Sequence, residues 1–144
     1  MKILSKHFGE IEIQEDHIIT FPKGLIGLED NKRYVLIEFE ENSMVYWLQS
    51  IEDPDLCFIV ANPYSFKSDY VLDVYEDDLK LIEMDDEKNV MVLVILNVSL
   101  ETKKITANLL GPLVINTNKN LGVQAVSKVA DYSTRYDITL SVGE

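Results

Sequence analysis

No apolar run in this chain of 144 residues is longer than seven: Val90 to Leu96 is the extreme, and Asn97 ends it. Apolar side chains come in short bursts, many alternating with polar ones, with turn residues between them. That rhythm builds strands, because successive side chains on a strand point to opposite faces. Glu10-Ile11-Glu12-Ile13-Gln14 sets Ile11 and Ile13 on one face and polar residues on the other. Arg33 to Glu40 alternates more loosely and is rich in strand formers. Val45 to Ile51, Leu56 to Ala61 and Tyr70 to Val74 follow at short spacing. Asn89 to Val98 is apolar on both faces and reads as a central strand covered on each side. Ile105 to Leu110, Leu113 to Ile115, Val123 to Lys128 and Tyr136 to Val142 complete the series.

The turn residues agree with this division. Phe8-Gly9, Asp53-Pro54-Asp55, Asn62-Pro63 and Gly111-Pro112 mark reversals, and Asn116 to Gly122 is the longest plainly polar connection. Gly24 and Gly27 bracket a compact loop that calls for positive φ. One stretch departs from the strand rhythm. Glu76, Asp77 and Asp78 would fall in a first helical turn, where carboxylates meet the positive end of the helix dipole. Tyr75, Leu79 and Ile82 recur behind them at helical spacing, so one short helix is expected near residues 76–84, broken by Asp85-Asp86. About ten short strands and one helix do not lie well as a single flat layer. The fold class is therefore all-β and mainly antiparallel: a compact, barrel-like sheet closed on itself, read as one domain over residues 1–144.

Composition limits what such a domain can do. Thirteen basic against 25 acidic side chains leave a formal charge of −12. Phosphate backbones would be repelled, so no direct nucleic-acid binding is expected, while a basic protein partner would be attracted. No apolar stretch approaches the roughly 20 residues that span a bilayer, and the N-terminus lacks a secretory pattern, so no membrane association and a cytoplasmic location are expected. Cys57 is the single cysteine and stands in the apolar run Leu56 to Val60, which reads as a buried thiol.

Catalytic hardware is scarce. His7 and His17 are the only histidines, and no H-E-x-x-H spacing, cysteine pair or G-x-S-x-G elbow accompanies them. FPKGLIG lacks the spacing of a phosphate-binding loop. The carboxylate pairs, Asp53 with Asp55 and Asp77 with Asp78 among them, could in principle serve a glycosidase, but an acidic chain produces such pairs in turns by composition alone. No cofactor, no metal and no enzymatic activity are expected.

Three segments stand out in fixed order: FPKGLIG from Phe21 to Gly27, WLQSIEDPDLCF from Trp47 to Phe58, and NLLGPLVIN from Asn108 to Asn116. GVQAV, Gly122 to Val126, follows as a fainter fourth. Together with Phe8-Gly9 between the first two strands, this order resembles the FliW family of flagellar assembly factors over nearly the whole chain. Leu28 stands where that family often has an aromatic, and Gly111 where it usually has alanine.

The resemblance implies a compact β-barrel that performs no chemistry and binds proteins. Members bind cytoplasmic flagellin before its export, and also CsrA, the RNA-binding regulator that represses translation of flagellin messenger. Flagellin synthesis is thereby coupled to export. The resemblance implies Gln49, Ser50, Asn108, Asn116 and Gln124, the polar members of the matched motifs, as protein-binding candidates. Glu76, Asp77 and Asp78 join them on charge. For each amide or hydroxyl the competing reading is that it satisfies backbone groups at a turn or strand end. A monomer is expected when the protein is free. The rival readings are a small acidic β-barrel enzyme, a carbohydrate hydrolase using a carboxylate pair, and a generic ligand-binding barrel.

Overall fold

The computed structural model describes residues 1–39, 44–84 and 87–139. Among these residues eleven strands and one α-helix follow one another. β1 (Lys2–Ser5) and β2 (Gly9–Glu12) form a separate hairpin. The main sheet is built from β3 (Ile19–Thr20), β4 (Arg33–Glu38), β5 (Val45–Ser50), β6 (Cys57–Ala61), β7 (Val90–Ser99), β8 (Lys104–Ala107), β9 (Leu113–Asn116), β10 (Leu121–Gln124) and β11 (Tyr136–Asp137). Helix α1 (Glu76–Leu81) lies between β6 and β7 in the chain.

The strands run in the order β11-β8-β7-β6-β5-β4-β3-β10-β9, and β9 pairs again with β7, closing seven strands into a barrel. All pairings are antiparallel except the single parallel contact of Leu121 with Thr20. β7 makes the closure. On one flank its first half, Val90 to Leu93, meets β9, and its second half, Leu96 to Ser99, meets β8. Between these ladders Val94 and Ile95 face the five residues Asn108 to Pro112. The surplus forms a bulge, which a strand tolerates when glycine and proline shape the excursion. The bend expected at Gly111-Pro112 is this bulge.

Four apolar clusters hold the layers. The barrel interior contains Phe21, Leu25, Tyr34, Leu48, Val60, Leu93, Leu113 and Ile115. A second cluster covers the outside of β7 with Tyr70, Leu109 and Ile138 against Val92, Val94 and Leu96. The two faces of β7 therefore serve two cores, as its doubly apolar sequence requires. A third joins Ile82 and Val74 to Val114, Val123 and Ala125. The fourth seats the β1–β2 hairpin, through Ile3 and Ile13, on Val35 of β4. Each fully buried aliphatic side chain contributes about 1.5–3 kcal/mol of transfer free energy.

Four expectations need correction. Tyr70 to Val74 alternates in burial, with Tyr70 and Val74 buried and Val71 and Asp73 exposed, but among the described residues it joins no ladder. Its polar groups are answered singly: Val71 N–H by Tyr132 Oη at 2.8 Å and Asp73 O by Lys128 N–H at 2.7 Å. The helix stops at Leu81, before the expected 84, because Glu83 turns to φ 54°. There Glu83 N–H reaches Lys80 O (3.0 Å) and Met84 N–H reaches Leu79 O (3.1 Å), the paired bonds of a Schellman ending. The expected Asp85-Asp86 break lies outside the described residues. The Ile105–Leu110 segment leaves its ladder after Ala107, where the bulge begins. β10 ends at Gln124, and the chain beyond it bonds the bulge, Ala125 N–H to Pro112 O and Ser127 N–H to Leu110 O. Glu40 and the end of the Tyr136–Val142 segment also lie outside the described residues.

Candidate partner-binding surface

FPKGLIG, NLLGPLVIN and GVQAV come together at one place, and Gln124 joins them. Its Oε1 accepts from Ile26 N–H at 2.9 Å and its Nε2 donates to Gly111 O at 3.2 Å. Phe21 and Leu25 anchor the loop in the barrel, 0 % and 1 % exposed. Gly24 (φ 67°) is obligatory there, since a β-carbon would stand 2.6 Å from Glu29 Cα. The loop ends in an exposed tip at Ile26 and Gly27. Asn108 works on the same bend, its Oδ1 accepting from Gly111 N–H at 2.9 Å. Gln124 and Asn108 keep partial exposure.

Gln49 and Ser50 are turned wholly inward, both 0 % exposed. Gln49 Oε1 accepts from Ser5 Oγ at 2.7 Å, and its Nε2 donates to Ser50 O (3.0 Å) and Leu56 O (3.3 Å). Ser50 Oγ accepts from the N–H groups of Glu52 and Asp53 and donates to Asn31 Oδ1 at 3.2 Å. These two residues shape the Asp53-Pro54 turn, and in this structure they offer a partner no surface. The same holds for Asn116, 2 % exposed, whose Nδ2 donates to Ile82 O and Glu83 O and so ties the end of α1 to β9.

Glu76, Asp77 and Asp78 occupy the first turn of α1 as expected, with Glu76 and Asp77 exposed and Asp78 half-buried. Among the described residues no cation forms an ion pair with any of the three. A negative face is therefore presented on the helix that Asn116 holds in place.

A second outward feature escaped the sequence reasoning. Trp47 on β5 is ringed by Phe39 (centroids 5.1 Å apart), His7 (5.3 Å) and Phe8 (5.7 Å). Phe8 and Phe39 are 38 % and 50 % exposed. His7 and Phe8 lie far in the sequence from Phe39 and Trp47, and no local pattern unites the two pairs. The one available signal was an aromatic, Phe8, in a hairpin turn, where polar residues are usual.

Little in the described residues is arranged for chemistry. No group of three or more His, Cys, Asp or Glu is clustered to hold a metal. Burial pushes the Cys57 thiol up to about 11, against reactivity. Burial likewise raises the Tyr34 hydroxyl to about 12, assisted by Glu52 and Asp53. Asp53 and Asp55 share a turn, with Asp53 Oδ1 accepting from Asp55 N–H at 3.0 Å. Among the described residues no helix is long and apolar enough to cross a membrane.

Fold and site define a class: a filled seven-stranded β-barrel with outer layers, its motif residues holding loops, and the α1 carboxylates and the aromatic group around Trp47 on its outer surface. Residues 2–138 match the model of the FliW protein family. The chain belongs to the FliW family of flagellar assembly factors. It is 43% identical over 139 residues to the flagellar assembly factor FliW of Natranaerobius thermophilus, covering 96% of this chain and 92% of that one. It is 41% identical to that of Clostridium beijerinckii (94% and 96% covered) and 38% to that of Bacillus licheniformis (96% of each). A crystal structure of the flagellar assembly factor FliW superposes with a TM-score of 0.87 at 34% identity, covering 96% of each chain. These relatives are named as assembly factors and not as enzymes.

Proposed function

We propose that this protein is a non-catalytic binding factor of the cytoplasm that takes two protein partners in turn, flagellin awaiting export and the translational regulator CsrA. Family membership along residues 2–138 carries the reading. Its physical support is the outer surface. The charge of −12 and the exposed carboxylates of α1 suit a regulator that must be basic to grip RNA. The aromatic ring around Trp47 supplies the type of side chain that anchors protein interfaces. Held on the regulator, the protein antagonises repression of flagellin messenger; occupied by flagellin, it releases the regulator.

Calorimetric titration of the protein with CsrA, repeated after saturation with the C-terminal segment of flagellin, tests the reading. Binding that flagellin abolishes supports the switch. Absence of binding to both partners overturns it. Neutralising Glu76, Asp77 and Asp78 tests the electrostatic part separately: an affinity for CsrA that neither this change nor high salt alters removes that part of the proposal.

A further inference from the structure

β6 leaves β7 early. Their ladder pairs Ile59 with Leu96, Val60 with Ile95 and Ala61 with Val94, and stops. Asn62 follows and faces the β5 flank, where its N–H donates to Met44 O at 3.0 Å. Pro63 comes next with no N–H to give, and opens the 3-10 turn Pro63–Ser65. β7 runs on past this point to Val90, and among the described residues it is paired there on its β9 flank alone.

The direction of its main-chain groups follows from two bonds. Thr117 N–H donates to Asn89 O at 2.8 Å, and Asn108 N–H to Ile95 O at 2.9 Å. Because alternate residues of an antiparallel strand bond opposite flanks, Asn89, Met91, Leu93 and Ile95 address β9 and β8. Val92 and Val94 then address the β6 flank. Val94 finds Ala61 there; Val92 finds no strand among the described residues.

This open edge borders a groove of about 880 Å³, lined by Val90 and Val92 and by Leu72, Asp73 and Val74. The lining mixes apolar side chains, Leu72, Val74, Val90 and Val92 among them, with the polar Asn62, Asp73 and Thr117. An edge strand beside a groove of mixed apolar and polar lining is an arrangement that accepts an added strand, with main-chain bonds for affinity and side-chain contacts for selection.

We propose that this groove is a docking slot for an extended peptide segment of a protein partner, added as a strand to the edge of β7 at Val92, its apolar side chains alternating with basic ones. Charge selects this occupant. Asp73 lines the groove, Glu76, Asp77 and Asp78 begin the helix that follows it, and the chain carries −12. Lys88 is the cation in the lining. A second copy of the chain would bring the same negative charge to the same edge, which opposes pairing between copies. The proposal rests on the protein-binding reading above and adds to it a place and a backbone geometry.

The test uses an end-blocked heptapeptide of alternating valine and lysine, titrated into the full-length ¹⁵N-labelled protein. Shifts centred on the amides of Val90 to Val92, with slowed exchange at the Val92 amide, are the expected result. Methylating the peptide's alternate backbone nitrogens keeps its side chains and charge but removes the edge-bonding donors, and should weaken binding about tenfold for each bond lost. Exchanging its lysines for glutamates should abolish the shifts. Equal binding by the methylated peptide, shifts elsewhere on the barrel, or no shift at millimolar peptide would overturn the proposal. So would a dimer in sedimentation whose formation protects Val92. The peptide result is independent of the CsrA and flagellin titrations, so failure of the slot and failure of the partner switch are told apart.

Discussion

Gly122 on β10 lies so close to the ring of Phe21 that a β-carbon at position 122 would stand 2.6 Å from Phe21 Cε2. The ring has nowhere to retreat. Phe21 is 0 % exposed and meets Tyr34 edge-to-face at 5.5 Å. Gly122→Ala should therefore overpack the barrel and cost about 1–3 kcal/mol. The midpoint of urea unfolding reads this directly, and an unchanged midpoint would refute it.

Gln49 is the polar residue on which the Asp53-Pro54 turn is hung. Gln49→Met keeps the length of the side chain but leaves the Ser5 hydroxyl proton without its acceptor and takes the amide donor from Ser50 O, while Leu56 O keeps its bond from Ser50 N–H. The expected loss is about 2–3 kcal/mol in denaturant unfolding. Because position 49 has no exposed surface, affinity for any protein partner should be unchanged in the fraction that stays folded. A variant that kept its stability and lost its partner would contradict the internal role.

Tyr34 Oη is, among the described residues, the buried side-chain polar atom left without a hydrogen bond. Removing an unpaired buried hydroxyl removes a desolvation penalty. Tyr34→Phe should leave thermal stability unchanged or raise it by up to about 1 kcal/mol. A loss of comparable size would mean that the hydroxyl is paired in solution.

Glu52 gives the fold an acid-sensitive contact. Its carboxylate accepts from the N–H groups of Lys32 (3.0 Å) and Arg33 (3.1 Å), and the Lys32 amide above all holds it below the ordinary glutamate range. A lowered folded-state pKa contributes stability that is complete above the unfolded value, about 4.3, and drains away as pH falls through the folded one. Glu52→Gln should flatten the decline in stability below about pH 4. A variant whose acid limb overlays that of the parent would show the contact to be inert.

Much of this architecture is legible in the sequence, because short alternating strands announce themselves locally. The segments from Arg33, Val45, Leu56 and Asn89 became β4 to β7, and the doubly apolar character of β7 foretold cover on both faces. Tyr70 to Val74 misled for a physical reason. Its alternation reports that one face is buried, and burial of one face does not require a ladder. Nor could local pattern show that β9 returns to β7, since closure depends on the three surplus residues in the bulge. The motif amides were the hardest case. Gln49, Asn116 and Gln124 are equally polar in sequence, yet two are buried and one joins loops at the surface. Their difference lies in which distant backbone groups the fold delivers to them.

β7 carries two different neighbours along one flank, and this ties the fate of the barrel to that of its outer layer. Peel β8 away and the Asn108–Pro112 excursion loses the fixed start that sets the register of β9. Loosen β9 and the excursion no longer holds β8. Barrel and outer layer are therefore expected to melt together, in a single transition under heat.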